Sequence, residues 1–209
     1  MDPRGRPTDP EHRPRRFTVD DLFSLPDWGV RAEVLDGRLL LAPPPPRRQE
    51  RIAGNLAGRF RVVLPGGVRT GTRQPIRLPD GDGPVPDLLV GEAGDWSRGA
   101  PAGQVHTVGE VVGTDGRYLD RVWKRERYAD AGVPCYWRVE LAPWPGYRGP
   151  LPVVVVRLRE ATGWRDIVAA AGWPHLLPVA YGRGPGGAAV TVPVRIDPAT
   201  LAVRQALTW

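Results

Sequence analysis

Two carboxylates and one amine stand out in this sequence by type and setting. Asp87 follows Pro86 at the head of an apolar run, and Glu110 lies inside the run Val108–Val112. A carboxylate within a buried strand is costly unless it is paired or bound to a metal. Taken singly, Glu110 reads as the partner of one of many arginines, and Asp87 as a turn acid at a strand edge. Taken together they suit a hard cation, because Mg2+ uses one or two carboxylates plus waters and a phosphate oxygen. Lys124 is the third group, the sole lysine among 29 Lys and Arg residues. A GC-rich coding bias converts lysine to arginine wherever any cation serves. An ammonium nevertheless differs from a guanidinium: it is compact and loses its proton more readily on burial, so it can orient or deprotonate a water.

Lys124 belongs to a predicted helix from Tyr118 to Ala131, stopped by Gly132. Asp120, Lys124 and Tyr128 share one face at spacings of four. A solvated ion-pair stripe is the alternative reading, since Arg121, Arg125, Glu126 and Arg127 are adjacent. If the helix packs beside the strand before it, Lys124 is aimed at the space between Asp87 and Glu110.

The elements that must position these groups are short and numerous. Thr18 is a candidate N-cap for a helix through Leu25. Asp36-Gly37 between Arg31–Leu35 and Arg38–Ala42 predicts a hairpin. Pro43 to Pro46 form an extended connector. Ile52, Leu56, Phe60 and Val63 recur at helical spacing from about Arg48 to Leu64. Strands are expected within Val68–Leu78, at Val85–Val90, Val105–Val112, Val133–Leu141, Val153–Leu158 and Val190–Ile196. Trp164–Ala170 reads as strand or helix. Asp80–Pro84 is a turn, Gly91–Gly103 a polar loop, and the glycine-rich run Gly182–Gly187 a plain turn. The order predicts a mixed α/β fold with one sheet and helices against it.

Composition narrows the class. A chain of 209 residues with 41% hydrophobic residues can bury one real core. Residues 1–16 are rich in Pro, Arg and Asp and are expected to form a disordered basic arm, with a single domain over 17–209. The net charge of +6 favours an anionic partner, nucleic acid first. One cysteine, Cys135, excludes an intrachain disulfide and a cysteine-built zinc site. It sits among apolar residues and is expected to pack as a small hydrophobe. No apolar run is long enough to span a membrane, and the N-terminus lacks the apolar segment of a signal peptide, so the expectation is a cytoplasmic protein.

Five segments in order carry a resemblance: Glu33–Leu39, Arg51–Leu56, Pro86–Val90, Glu110–Val112 with Asp120 to Lys124, and Tyr128–Glu140. Together they resemble the Uma-two family of restriction endonucleases, a branch of the PD-(D/E)XK nuclease superfamily, from about Thr18 to Ile196. The resemblance implies a restriction-endonuclease-like mixed β-sheet core flanked by helices. It implies Asp87 and Glu110 as ligands of Mg2+ or Mn2+. It implies Lys124 as the residue that assists the attacking water, moved onto the helix from the position that Val112 occupies here. Glu33 matches an acidic position that binds metal or water in such a site. Two departures are visible: Gly113-Thr114-Asp115-Gly116 replaces the Ser-Pro-Ser common after the strand glutamate, and Gln49 stands where a histidine is common.

The function so implied is metal-dependent hydrolysis of DNA, with Arg47, Arg48, Arg51, Arg117 and Arg121 holding the backbone electrostatically. Lys124→Ala or Asp87→Ala is then expected to abolish cleavage and leave the fold intact. A homodimer would suit double-strand cutting. Two other readings stay open. One is a catalytically silent nuclease-fold domain that binds nucleic acid or protein, motivated by the altered segment after Glu110. The other is an α/β protein whose acids are structural ion pairs.

Overall fold

The computed structural model describes residues 16–113 and 122–201. The proposed arm, apart from Arg16, lies outside them, as do Arg117, Asp120, Arg121 and the start of the predicted Tyr118–Ala131 helix.

A six-stranded sheet forms the centre. Its strands are β3 (Val68–Gly71), β5 (Leu88–Glu92), β7 (Val105–Val112), β8 (Cys135–Glu140), β9 (Val153–Glu160) and β10 (Gly163–Ala170). The spatial order is β10-β9-β8-β7-β5-β3. Every pair is antiparallel except β7 and β8. A parallel pair needs a crossover, and here it includes α3 (Lys124–Asp130). All eight residues of β7 are buried, as expected for a central strand covered on both faces.

One face packs on α2 (Arg47–Val63) through Ile52, Ala53, Leu56, Ala57 and Phe60. The Phe60 and Trp137 rings meet edge to face at 4.8 Å. That face also carries a hairpin of β11 (His175–Arg183) and β12 (Ala189–Ile196). Thr107 fastens it, its hydroxyl donating to the Ala180 carbonyl at 2.8 Å and accepting from the Ala180 N–H at 3.0 Å. The opposite face carries α3 and a parallel bridge between β4 (Ile76–Arg77) and β6 (Ala100–Pro101), with Tyr128 of α3 packed in one cluster with Val108 and Tyr136 of the sheet. Cys135 is buried and its thiol is pushed up to about 11 by burial, as a packing residue should be.

The predicted N-terminal hairpin forms as β1 (Arg31–Leu35) and β2 (Arg38–Ala42). Asp36 and Gly37 take φ of 52° and 70°, the left-handed pair of a type I′ turn. Several boundaries differ from expectation. The first helix is a single turn, α1 (Val19–Leu22), with Thr18 and Asp21 forming a capping box. The strand expected at Val85 begins at Leu88, because Pro86 has no N–H to give a ladder. The Gly91–Gly103 loop is less polar in setting than its sequence, since Trp96, Ala100 and Ala102 are buried. Trp164–Ala170 is strand. No helix among the described residues is long and apolar enough to cross a membrane.

Candidate active site

Asp87 and Glu110 become neighbours through strand register. β5 and β7 run antiparallel with Leu88 opposite Gly109, so one further step on each places Asp87 opposite Glu110. Glu110 lies on the α3 face of β7, two residues from Val108. The side chains of Lys124 and Tyr128, one helical turn apart, project from α3 towards it. The Lys124 ammonium is 3.1 Å from Glu110 Oε1 and 2.9 Å from Glu33 Oε2, and the side chain is 1% exposed. The Tyr128 hydroxyl donates to Glu110 Oε1 at 3.2 Å.

Glu33 arrives from a different element. Val34 and Gly83 exchange backbone hydrogen bonds of 3.2 and 2.9 Å, which dock β1 on the turn before β5. A Cβ on Gly83 would stand 2.7 Å from the Val19 side chain, so a glycine there lets α1 pack against the same turn. Docking lets Glu33 Oε2 accept the Val85 N–H at 3.1 Å. Asp82, buried in the same turn, accepts the Asp36 and Gly37 N–H groups at 2.7 and 2.9 Å and pairs with Arg127 of α3 at 3.0 Å. Hairpin, turn and helix are thereby tied together around the acids.

Arg31, two residues before Glu33 on the same face of β1, completes the cluster. Its guanidinium is 2.8 Å from Glu33 Oε1, 3.4 Å from Asp87 Oδ1 and 3.9 Å from Glu110 Oε2, and it donates to the Val85 carbonyl. Asp87 Oδ2 accepts the Val111 N–H at 2.8 Å. The expectation that Lys124 lies between Asp87 and Glu110 is thus modified. The ammonium bridges Glu110 and Glu33, and the cation that reaches Asp87 is Arg31. The reading of the helix face as a solvated stripe does not apply to Lys124 or Tyr128, both buried.

Electrostatics follow from this packing. Burial alone would raise the Glu33 carboxyl. The charges of Lys124 and Arg31, with hydrogen bonds from Lys124 and Val85, outweigh it and hold the group below the ordinary glutamate range. Burial, with the Glu110 and Glu33 charges added, pushes Tyr128 well above its usual value, so it stays a hydrogen-bond donor.

Three carboxylates supply hard oxygen donors, the set that Mg2+ or Mn2+ takes. Among the described residues no three His, Cys, Asp or Glu side chains stand ready as a coordination shell. Between Glu33, Asp87 and Glu110 the space is shared by a guanidinium and an ammonium. The donor chemistry therefore fits such an ion, on condition that a cation of the protein gives way. A cavity of about 210 Å³ opens beside Asp87, lined by Pro45, Glu50, Ala53, Gly54, Thr72 and Arg73.

Sequence reasoning missed Arg31 and Asp82. The alternation of β1 places Arg31 on the same face as Glu33, a signal that was present. Nothing in the sequence says that the 80s turn receives the hairpin, so Asp82 had no such signal.

No protein with a curated description matches the chain. A crystal structure of a putative nuclease belonging to DUF820 from Anabaena variabilis ATCC 29413 is similar, with a TM-score of 0.54 at 17% identity, over 84% of this chain and 94% of that one. At that identity the likeness shows the fold, a nuclease-like α/β fold. The model of the Uma2 family, described as putative restriction endonuclease, matches residues 19–171, a stretch that contains Arg31, Glu33, Asp87, Glu110 and Lys124, and the chain belongs to that family.

Proposed function

We propose that this protein is an endonuclease that hydrolyses DNA phosphodiester bonds with a divalent cation, Mg2+ or Mn2+. One observation carries the reading: three buried carboxylates from β1, β7 and the residue preceding β5 converge with a buried lysine. Structural ion pairs need only two partners, and clustering three acids in one dry site raises a repulsion that such pairs would avoid.

Asp87 and Glu110 are the residues that would hold the ion, with Glu33 beside them. Held by these carboxylates, the ion would supply polarisation of a phosphoryl oxygen and a lowered pKa for a bound water. Lys124 orients that water or balances charge developing on the phosphoryl oxygens. Tyr128 and the Val111 N–H fix the carboxylates in place, so the site needs little reorganisation during the reaction. The cavity beside Asp87 is the approach for the phosphate. Arg47, Arg48 and Arg51 near its α2 wall hold the flanking backbone without reading bases.

A supercoiled plasmid incubated with the purified protein tests this. Nicking or linearisation is expected with Mg2+ or Mn2+ and none with chelator, and Asp87→Asn should remove at least about a hundredfold of the rate. Undiminished cleavage by Asp87→Asn would sink the assignment. A second reading, a nuclease-fold domain that binds DNA without cutting, is favoured by the neutralisation of the acids by Arg31 and Lys124. It expects salt-sensitive, metal-indifferent gel retardation and an intact plasmid.

A further inference from the structure

Each carboxylate of the cluster has one oxygen tied to the protein frame and one turned towards Arg31. One oxygen is bound to the protein frame: Asp87 Oδ2 by the Val111 N–H, Glu110 Oε1 by Lys124 and Tyr128, Glu33 Oε2 by the Val85 N–H and Lys124. The other oxygen of each faces Arg31: Asp87 Oδ1 at 3.4 Å, Glu110 Oε2 at 3.9 Å and Glu33 Oε1 at 2.8 Å, the last shared with the Lys124 ammonium at 3.2 Å. The guanidinium therefore stands against the three oxygens that point into the shared space. Those are the oxygens a divalent ion would need, at about 2.0–2.1 Å for Mg2+. An ion bound there would also bring two positive charges close to a guanidinium, and the two repel each other.

We propose that Arg31 is the resident counter-ion of the metal site, and that divalent cation and guanidinium exchange for the same carboxylate oxygens. Arg31 is a positioning residue in this scheme. Without metal it keeps three acids gathered that would otherwise repel each other. With metal it leaves them, and its charge sets the concentration of metal at which the site fills. Lys124 also reaches Glu33 Oε1, but it does not exchange, because it is fully buried and anchored on Glu110 Oε1 and Glu33 Oε2 on the frame side. The inference rests on the proposed metal-dependent function.

Calorimetric titration of the full chain with Mn2+ alone, without DNA, tests it. Arg31→Gln should tighten Mn2+ binding at least about tenfold, because a competing charge is gone. Arg31→Lys should stay close to the original protein, because the charge is kept. Asp87→Asn should lose binding in either background. Binding in Arg31→Gln that is unchanged or weaker overturns the exchange and leaves Arg31 a structural partner. Absence of binding in both the original protein and a folded Arg31→Gln overturns the exchange and the metal reading together. Should Arg31→Gln fail to fold, the original protein answers: the Arg31 Nε resonance should shift along the Mg2+ binding curve, and a resonance that stays fixed while metal binds overturns the proposal. Metal exchange with an uncut plasmid would remove the hydrolytic function and leave the exchange standing. Metal-dependent cleavage with Arg31→Gln binding Mn2+ no more tightly would do the reverse.

Discussion

Lys124 is 1% exposed and faces two carboxylates, which changes what its removal should do. An exposed catalytic lysine can be deleted with little effect on folding. A buried one leaves its partners as uncompensated charges, at about 3–5 kcal/mol. The expectation that Lys124→Ala spares the fold therefore does not suit this geometry. Lys124→Met is expected to lose about 3–5 kcal/mol in urea denaturation. Glu33→Gln in the same chain should recover part of that loss, because one stranded carboxylate is then neutral. A coupling of about 1–3 kcal/mol between the two changes is expected from the double-mutant cycle. Strict additivity would mean that the ammonium and Glu33 do not interact. In activity assays, loss of cleavage by Lys124→Met is meaningful only at temperatures where circular dichroism shows it folded.

At the level of elements, the site depends on where the β1–β2 hairpin docks. Asp82 governs that placement, since its carboxylate caps the Asp36 and Gly37 amides and pairs with Arg127. Asp82→Ala leaves two turn N–H groups without their acceptor, a cost on the order of 3 kcal/mol. The Asp36 and Gly37 amides should lose hydrogen-exchange protection along with it, and unchanged protection would show that the backbone of β1 holds the turn by itself. The hairpin itself was legible, because Asp-Gly between apolar runs has few other solutions. β7 and α2 were legible from apolar continuity and helical spacing, and the facing of Asp87 and Glu110 from their place on adjacent strands. β11 was not legible: Pro178 and Gly182 interrupt its pattern, and Pro178 stands opposite Pro193 in β12. Prolines are tolerated there because a two-stranded ribbon has open edges that need no donor. Arg31 escaped notice for a related reason. One arginine among many gains meaning only when tertiary docking carries its strand to the acids, and no local pattern encodes that docking.

The whole molecule carries a formal charge of +6 around a site built of acids. On the proposed function, a polyanionic substrate would be attracted by the periphery and tolerated at the centre. Arg47, Arg48 and Arg51 are exposed on the first turns of α2, beside Glu50, Ala53 and Gly54 of the cavity wall. Arg47, Arg51 and Gly54 recur at helical spacing, so the basic groups flank the opening that leads to Asp87. If they bind phosphates, DNA affinity should fall log-linearly with salt, by about 0.9 in slope for each phosphate neutralised on duplex. Changing all three to Ala should weaken binding to unrelated DNA sequences alike and flatten the salt slope by up to about 2.7, three contacts at that value. Mn2+ affinity should not follow, because the carboxylate cluster gains its cations from Arg31 and Lys124. Fluorescence anisotropy of a labelled duplex between 50 and 200 mM salt, roughly the range in which such contacts are read, measures both quantities. A slope that survives the triple change would move the DNA path to another face of the protein, away from the α2 wall and its cavity.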